Sequence, residues 1–333
     1  MIEIDGSYGE GGGQIVRTAT SLSAYTGKPV RIENIRANRS TPGLRPQHVK
    51  GIETLAELCE ASISGVRIGS KKITFQPEEV KAKDLEVDIG TAGSITLLLQ
   101  SLMPALMNCD EEVQIKLKGG TDVKWSPPLD YLKNVLLPVL RNHGYDASLE
   151  VKKRGFYPKG GGEVIFNFQG ADMDEFDLTE KGEIQEVGGV SYASDHLKDS
   201  SVADRQAKAA QKHLWDEFEE TAKIKTEYCD SRSPGSGIQI WLKTENSVIG
   251  GNALGEKGKP SEKVGKEAAM DLIRNSKGVV DRYSADQLLP FFIVSGGRIK
   301  PSEITDHCRT NMWTIGNFIP SSISEESGII ELI

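Results

Sequence analysis

The sequence predicts an α/β (α+β) fold of repeated sheet-and-helix units with a smaller α/β module inserted among them, and three observations carry that prediction. Strand-period and helix-period segments alternate along all 333 residues. A short strand ending in Asp, followed by a glycine-rich turn and a helix, occurs at Asp5 and again 83 positions later at Asp88. A weaker third copy begins at Asp281, 193 positions further on, so about 110 residues exceed one repeat length and read as an insertion.

Taken in order, Met1–Asp5 alternates as a strand, Gly6 to Gly13 forms the turn, and a helix runs from Gln14 to about Tyr25. Val30–Glu33 reads as a strand and Leu44–Cys59 as a helix. The second copy places strand and turn at Val87–Gly93 and a helix over Ser94–Met107, then a strand at Val113–Leu117, a helix at Leu129–His143 and a strand at Val164–Phe168. From Asp172 to Glu186 the chain is acidic with only Lys181 among its bases, which reads as a surface connection opening the insertion. Inside it we expect a helix over Ser201–Lys223, strands at Lys225–Cys229, Ile238–Lys243 and Ser247–Gly251, and a helix at Ser261–Asn275. Apolar helical stretches follow at Gln287–Val294 and Met312–Phe318. The expected division is a large domain of residues 1–182 and 278–333 around an inserted domain of 183–277.

Composition narrows the function. Hydrophobic content of 38% and charged content of 26% are ordinary for a globular chain. A net charge of −8 excludes broad, nonspecific nucleic-acid binding, so any such substrate must be gripped locally. Two basic segments could do so: Lys28 to Lys50, with Arg31, Arg36, Arg39 and Arg45, and Lys152-Lys153-Arg154 with Lys159. The four cysteines are scattered, without zinc or disulfide spacing. The opening residues lack a signal-peptide layout and no run is apolar enough to span a membrane, so a cytoplasmic location is expected.

Several segments could do chemistry. Gly9-Glu10-Gly11-Gly12-Gly13-Gln14 joins a strand to a helix, where free N–H groups suit phosphate, but it lacks the Walker pattern. Glu10 would repel that anion unless a divalent metal lay between them; an exposed Glu in a tight turn is the plain alternative. Arg17 lies one turn into the helix. Arg36, Arg39 and Arg45 flank a Ser40–Gly43 turn, and their planar forks suit phosphates. Gln47 and Lys50 come together after it, while neighbouring His48 reads as structural. Gln100 interrupts an apolar helix and needs a partner there, backbone or ligand. Near the end, Asp306-His307-Cys308-Arg309-Thr310-Asn311 gives His307 the polar company that orients a neutral, nucleophilic imidazole, although a lone histidine is more often structural.

Together these motifs are far more specific. Asp5-Gly6, Gly9 to Gln14, Ile35-Arg36-Ala37-Asn38-Arg39, Pro42-Gly43-Leu44, Gly119-Gly120-Thr121-Asp122, Pro127-Pro128, Gly155-Phe156-Tyr157-Pro158, Gly160-Gly161-Gly162, Tyr283, Ala285-Asp286-Gln287-Leu288 and His307 with Thr310-Asn311 resemble, in order and over nearly the whole chain, the RNA 3′-terminal phosphate cyclases. The resemblance implies three units, each a four-stranded sheet with two helices, and a small α/β domain inserted before the last. It implies ATP as cosubstrate, Mg²⁺ or Mn²⁺, and an RNA with a 3′-terminal phosphate as partner, with no membrane; a homodimer is left open. His307 would be the nucleophile that carries AMP. Gln100, Tyr283, Ser284, Ala285, Asp286 and Gln287 would surround the adenosine, Glu10 would help hold the metal, and Gln14, Arg17, Arg36, Arg39 and Gln47 would hold phosphates and the RNA end. The sequence departs from the pattern at Val123-Lys124-Trp125 and through the insertion, whose role is therefore open. The alternative is a noncatalytic, cyclase-like RNA-processing protein.

Overall fold

The computed structural model describes residues 1–320 and 323–332. Its first unit comprises β1 (Ile2–Asp5), α1 (Gly13–Thr26), β2 (Val30–Glu33), α2 (Pro46–Leu58), β3 (Ser62–Ser64) and β4 (Ile73–Gln76), with sheet order β1-β2-β4-β3 and β1 parallel to β2. The second repeats it: β5 (Leu85–Asp88), α3 (Ile95–Leu102), β6 (Val113–Gly119), α4 (Leu129–Tyr131), α5 (Leu137–Arg141), β7 (Tyr145–Lys153) and β8 (Gly162–Ala171) give the order β5-β6-β8-β7. A π-helical stretch, Leu132–Leu136, joins α4 to α5.

A third unit opens with β9 (Phe176–Leu178) and is then interrupted. The chain leaves to build β10 (Ile184–Ser194), α6 (Val202–Phe218), β11 (Lys223–Cys229), β12 (Ser236–Thr244), β13 (Val248–Leu254) and α7 (Ser261–Asn275), with sheet order β11-β10-β12-β13. It returns with α8 (Arg282–Leu288), α9 (Phe292–Ser295), β14 (Gly297–Ile299), α10 (Asp306–Gly316), β15 (Ile323–Glu326) and β16 (Ile329–Leu332). Read from β9, the third sheet has the same order as the others, β9-β14-β16-β15. The insertion therefore lies inside the last unit, between its first strand and first helix, and not before it. The acidic stretch hid β9: Phe176 and Leu178 turn inward at 0% and 1% exposure, while Asp177 between them pairs with Arg298 at 2.8 Å.

Other differences have local causes. The helix expected over Ser94–Met107 ends at Leu102 and passes into a 3₁₀ turn at Ala105–Asn108, because Pro104 has no N–H to continue it. The helix expected over Gln287–Val294 starts at Arg282, where the Asp281 carboxylate accepts the Tyr283 and Ser284 N–H groups, and breaks at Pro290. The helix expected from Met312 begins at Asp306, capped by the Thr305 hydroxyl accepting from Cys308 N–H at 3.1 Å. The first long module helix stops at Phe218 and Lys223 already belongs to a strand.

The sheets surround helices that meet in the middle. Ten of the fourteen residues of α1 are buried, and it touches α2, α3 and α10, so helices of all three units share one core. The module has a second core around Val187, Ile238, Ile240, Leu242 and Leu272. Two buried polar knots attach it. Arg154, 6% exposed, reaches Asp130 at 2.7 Å and Asp122 at 3.4 Å in the second unit, and Glu227 of the module at 3.4 Å; its guanidinium also lies 3.9 Å from the centre of the module's Tyr192 ring. The fully buried Asp281 accepts from Tyr131 Oη at 2.7 Å and from the Gly250 N–H at 2.9 Å. Among the described residues no helix is long and apolar enough to cross a membrane.

Candidate functional site

The first glycine turn and the last long helix face each other. Gly9 and Gly11 take left-handed φ values of 55° and 56°, which lets the turn double back before α1. Tyr8 from this turn stacks on Trp313 of α10 at a centroid distance of 3.9 Å. His307, in the first turn of α10, then meets Glu10: Nδ1 of the ring contacts the Glu10 Oε2, whose other neighbour is Arg39 Nη2 at 3.5 Å. The contact fixes one tautomer, with Nδ1–H donating to the carboxylate and Nε2 left as a lone-pair nitrogen. The His307 backbone carbonyl accepts from Gln14 Nε2 at 2.5 Å, locking α10 to α1.

Beside Gln14, which bonds the His307 carbonyl, lies a narrow cleft of about 30 Å³ that His307, Glu10 and Arg39 do not line. Gln14, Arg17, Gln100, Asp286 and Gln287 supply its polar wall, and Met103, Pro104, Leu136, Pro290 and Phe291 its apolar one. Gln100 is half-buried, and its Nε2 donates to Gln287 Oε1 at 2.7 Å, while Gln287 Nε2 donates to the Tyr283 carbonyl at 2.7 Å. Thr18 Oγ1 donates to Asn311 Oδ1 and Asn311 Nδ2 to the Asp286 carbonyl, both at 2.7 Å, tying α1, α10 and α8 around the space. Gln14 Oε1 is buried and has no partner among the described residues, an acceptor left for a ligand donor or water.

The electrostatics favour a neutral histidine among anion-binding groups. Burial lowers the His307 pKa, Glu10 opposes that, and Arg17 and Arg39 lower it further. Burial raises the Asp286 carboxyl to about 7 despite the Arg17 charge, and lowers the Arg17 guanidinium to about 10. His48 is pushed to about 3, by burial first and then by Arg17, Arg36 and Arg45. It packs against Gly13, where any side chain would collide with its ring, and its Nδ1 accepts the Arg45 N–H at 3.1 Å.

Not every expected residue reaches the cleft. Arg36, at φ 54°, spends its guanidinium on the Thr41 and Gly43 carbonyls at 2.7 and 2.9 Å and braces its own loop. Gln47 Oε1 accepts the Ser94 N–H at 3.3 Å, joining the first unit to the second glycine turn. Ser284 and Ala285 face inward, the serine hydroxyl held by Tyr131 at 2.6 Å, because the Asp281 cap sets that face of α8 toward the core. Tyr283 stands outside the cleft lining, edge-on to Tyr131, with its hydroxyl accepting from Arg282 at 2.7 Å. The segment Lys152–Arg154 is no basic face: Arg154 is buried, Lys152 pairs with Glu150 and Lys153 with Asp230. Thr18 was missed, and Asn311 was read only as company for His307, although each lies four positions after a predicted site residue, Gln14 and His307, on the same helical face.

No group of three His, Cys, Asp or Glu side chains among the described residues could cage a metal ion. Glu10 is a single half-exposed carboxylate, a donor set that suits Mg²⁺ or Mn²⁺ only where phosphate oxygens complete the shell.

Comparison with known proteins gives one answer. The family model of RNA 3′-terminal phosphate cyclase matches residues 8–324. The chain is 50% identical over 322 residues to a Pyrococcus abyssi protein named RNA 3′-terminal phosphate cyclase, covering 96% of this chain and 93% of that one. Proteins of the same name from Pyrococcus furiosus and Methanosarcina barkeri are 48% and 46% identical, covering 99% and 100% of this chain and 97% and 99% of theirs.

Proposed function

The chain belongs to the RNA 3′-terminal phosphate cyclase family, and we propose that it uses ATP to convert an RNA 3′-terminal phosphate into a 2′,3′-cyclic phosphodiester through AMP carried on His307. The observation that supports the covalent step most directly is the Nδ1 contact to Glu10, which leaves His307 Nε2 as the nucleophile. Nε2 attacks the α-phosphorus of ATP, a P–N bond forms, and the P–O bond to pyrophosphate breaks. The ring becomes cationic in this step, and Glu10 faces that charge through the retained Nδ1–H. An RNA 3′-phosphate oxygen then attacks the same phosphorus, a P–O bond forms, and the P–N bond breaks with its electron pair returning to Nε2, which leaves His307 neutral. Finally the neighbouring 2′-OH, already within reach on the ribose, attacks the activated 3′-phosphorus, loses its proton and expels AMP.

The mixed lining suits a nucleoside only once the cleft widens, when the Gln100–Gln287 pair and Gln14 Oε1 would meet its polar edge or the ribose and Phe291, Leu136 and the two prolines, buried in this state, would supply the apolar wall. Arg17 and Arg39 can meet the phosphates, Arg36 keeps the loop that carries Arg39 in shape, and Gln47 supports the second glycine turn. Glu10 would share a divalent cation with the phosphates, where the cation would neutralise their charge.

Incubation with α-labelled ATP and Mg²⁺ or Mn²⁺ is expected to give an acid-labile protein–AMP adduct that RNA ending in 3′-phosphate discharges and RNA ending in 3′-OH does not. Equal labelling of His307→Ala would overturn the mechanism.

A further inference from the structure

Two of the largest side chains lie on the surface of the second unit with nothing covering them. Trp125 is 95% exposed and Tyr157 75% exposed. Trp125 also holds a left-handed φ of 62°, uncommon for a bulky residue, in a turn closed by the Ser126 hydroxyl on the Val123 carbonyl at 2.9 Å. The two loops are neighbours, since Asp122 bridges Phe156 and the Thr121 N–H donates to the Gly155 carbonyl at 2.9 Å. Cations frame them. Lys159 is exposed, and Arg232, delivered by the inserted module, lies over Gly161, where a side chain would stand 2.8 Å from its Cδ. Among the described residues neither Lys159 nor Arg232 has an acidic partner within 4 Å, whereas Lys124 and Lys153 are engaged by Glu256 and Asp230.

A continuous path of contacts joins this surface to His307. Gly12 lies between Arg39 and His307, where a side-chain carbon would stand 3.3 Å from Arg39 Nη2 and 3.9 Å from His307 Cε1. Gly13 abuts His48, and Gln47 beside it bonds Ser94. The Gly160 backbone then packs on Ala92, 2.9 Å from the position of a side-chain carbon. Exposed aromatic faces with free cations are the chemistry of single-strand binding: bases of any sequence stack while Lys and Arg meet the phosphates. The local grip also fits a chain whose net charge is −8.

We propose that Trp125 and Tyr157, flanked by Lys159 and Arg232, form a stacking platform for the single-stranded RNA upstream of the 3′-phosphate. The platform rests on the cyclase reading for its ligand, and it gives the inserted module a part in holding substrate. It is tested with two 3′-phosphorylated RNAs, of about 3 and about 12 nucleotides, the longer able to span a single-strand site. Trp125→Ala and Tyr157→Ala are each expected to weaken binding of the longer RNA and raise its KM about tenfold. AMP labelling, kcat and the KM of the shorter RNA stay unchanged, Trp125→Phe restores most of the affinity, and the longer RNA quenches tryptophan fluorescence in the wild type but far less in Trp125→Phe. Binding of the longer RNA is measured without ATP, so a failure of AMP labelling would sink the cyclase mechanism and leave the platform measurable. Unchanged affinity in both alanine variants would overturn the platform, as would a shift from dimer to monomer without loss of RNA affinity, which would assign these rings to a second copy of the chain.

Discussion

His307 is an ordinary imidazole whose surroundings pull its proton affinity in two directions. Burial, Arg17 and Arg39 favour the neutral ring and Glu10 favours the charged one. The net direction is downward, so AMP labelling is expected to hold its plateau down through the ordinary imidazole value near 6.5 and to fall only at lower pH. Arg39→Ala should move that acid limb to higher pH. Glu10→Gln should move it lower while cutting the plateau about 100-fold, because the carboxylate charge facing the ring as it becomes cationic is lost. His48 offers a stability test. Its folded pKa of about 3 lies below the unfolded value, so between pH 6.5 and 3 the unfolded chain binds the extra proton and stability falls as pH drops. Urea melts of His48→Asn, which keeps an acceptor for the Arg45 N–H, should show a flatter acid limb than the wild type. Legible at this scale were the residue types that the fold gathers: Gln14, Arg17, Gln100, Asp286 and Gln287 line one cleft. What was not legible is where a side chain spends its hydrogen bonds, so Arg36 and Ser284 looked free for ligands and are engaged by a loop and a core tyrosine.

At the scale of elements, the repeat of strand, glycine turn and helix was readable because two strong copies carry Asp, Gly and an apolar helix in one order. The third copy was weak because its helix starts at a polar cap, Asp281, and breaks at Pro290, so apolar periodicity found only its second half. The same reason shortened α10 in the sequence reading, since its first turn is the polar segment that carries His307. That cap makes a prediction. Thr305→Ala should cost about 1 kcal/mol in chemical denaturation, and AMP labelling should fall by more than stability does, because the lost hydroxyl sits two residues before His307, the proposed carrier of AMP.

Across the whole molecule, the module is fastened by buried charge. Arg154→Met should destabilise the protein by about 3–5 kcal/mol in urea melts, since Asp122 and Asp130 would remain buried without their cation. Adding Asp122→Asn and Asp130→Asn should recover much of that loss; no recovery would show that the residue matters through packing on Tyr192 instead. The sequence indicated an insertion by its surplus length but not its address, because three residues of strand inside an acidic stretch give almost no periodic signal. That address has a bearing on how the chain emerges from a ribosome. Asp177 and Arg298, paired across 121 positions, belong to strands that cannot meet until the chain has been made past residue 298. The first two sheets draw only on residues 2–171 and can close during synthesis, while β9 waits as a lone strand. The module between has its own core, and Lys181 at its entrance bonds the Ser276 carbonyl at its exit, so folding it first shrinks a long loop to a short one. His307 therefore finds its place only after the first two sheets have closed, and nascent chains that lack it are expected to give no AMP labelling.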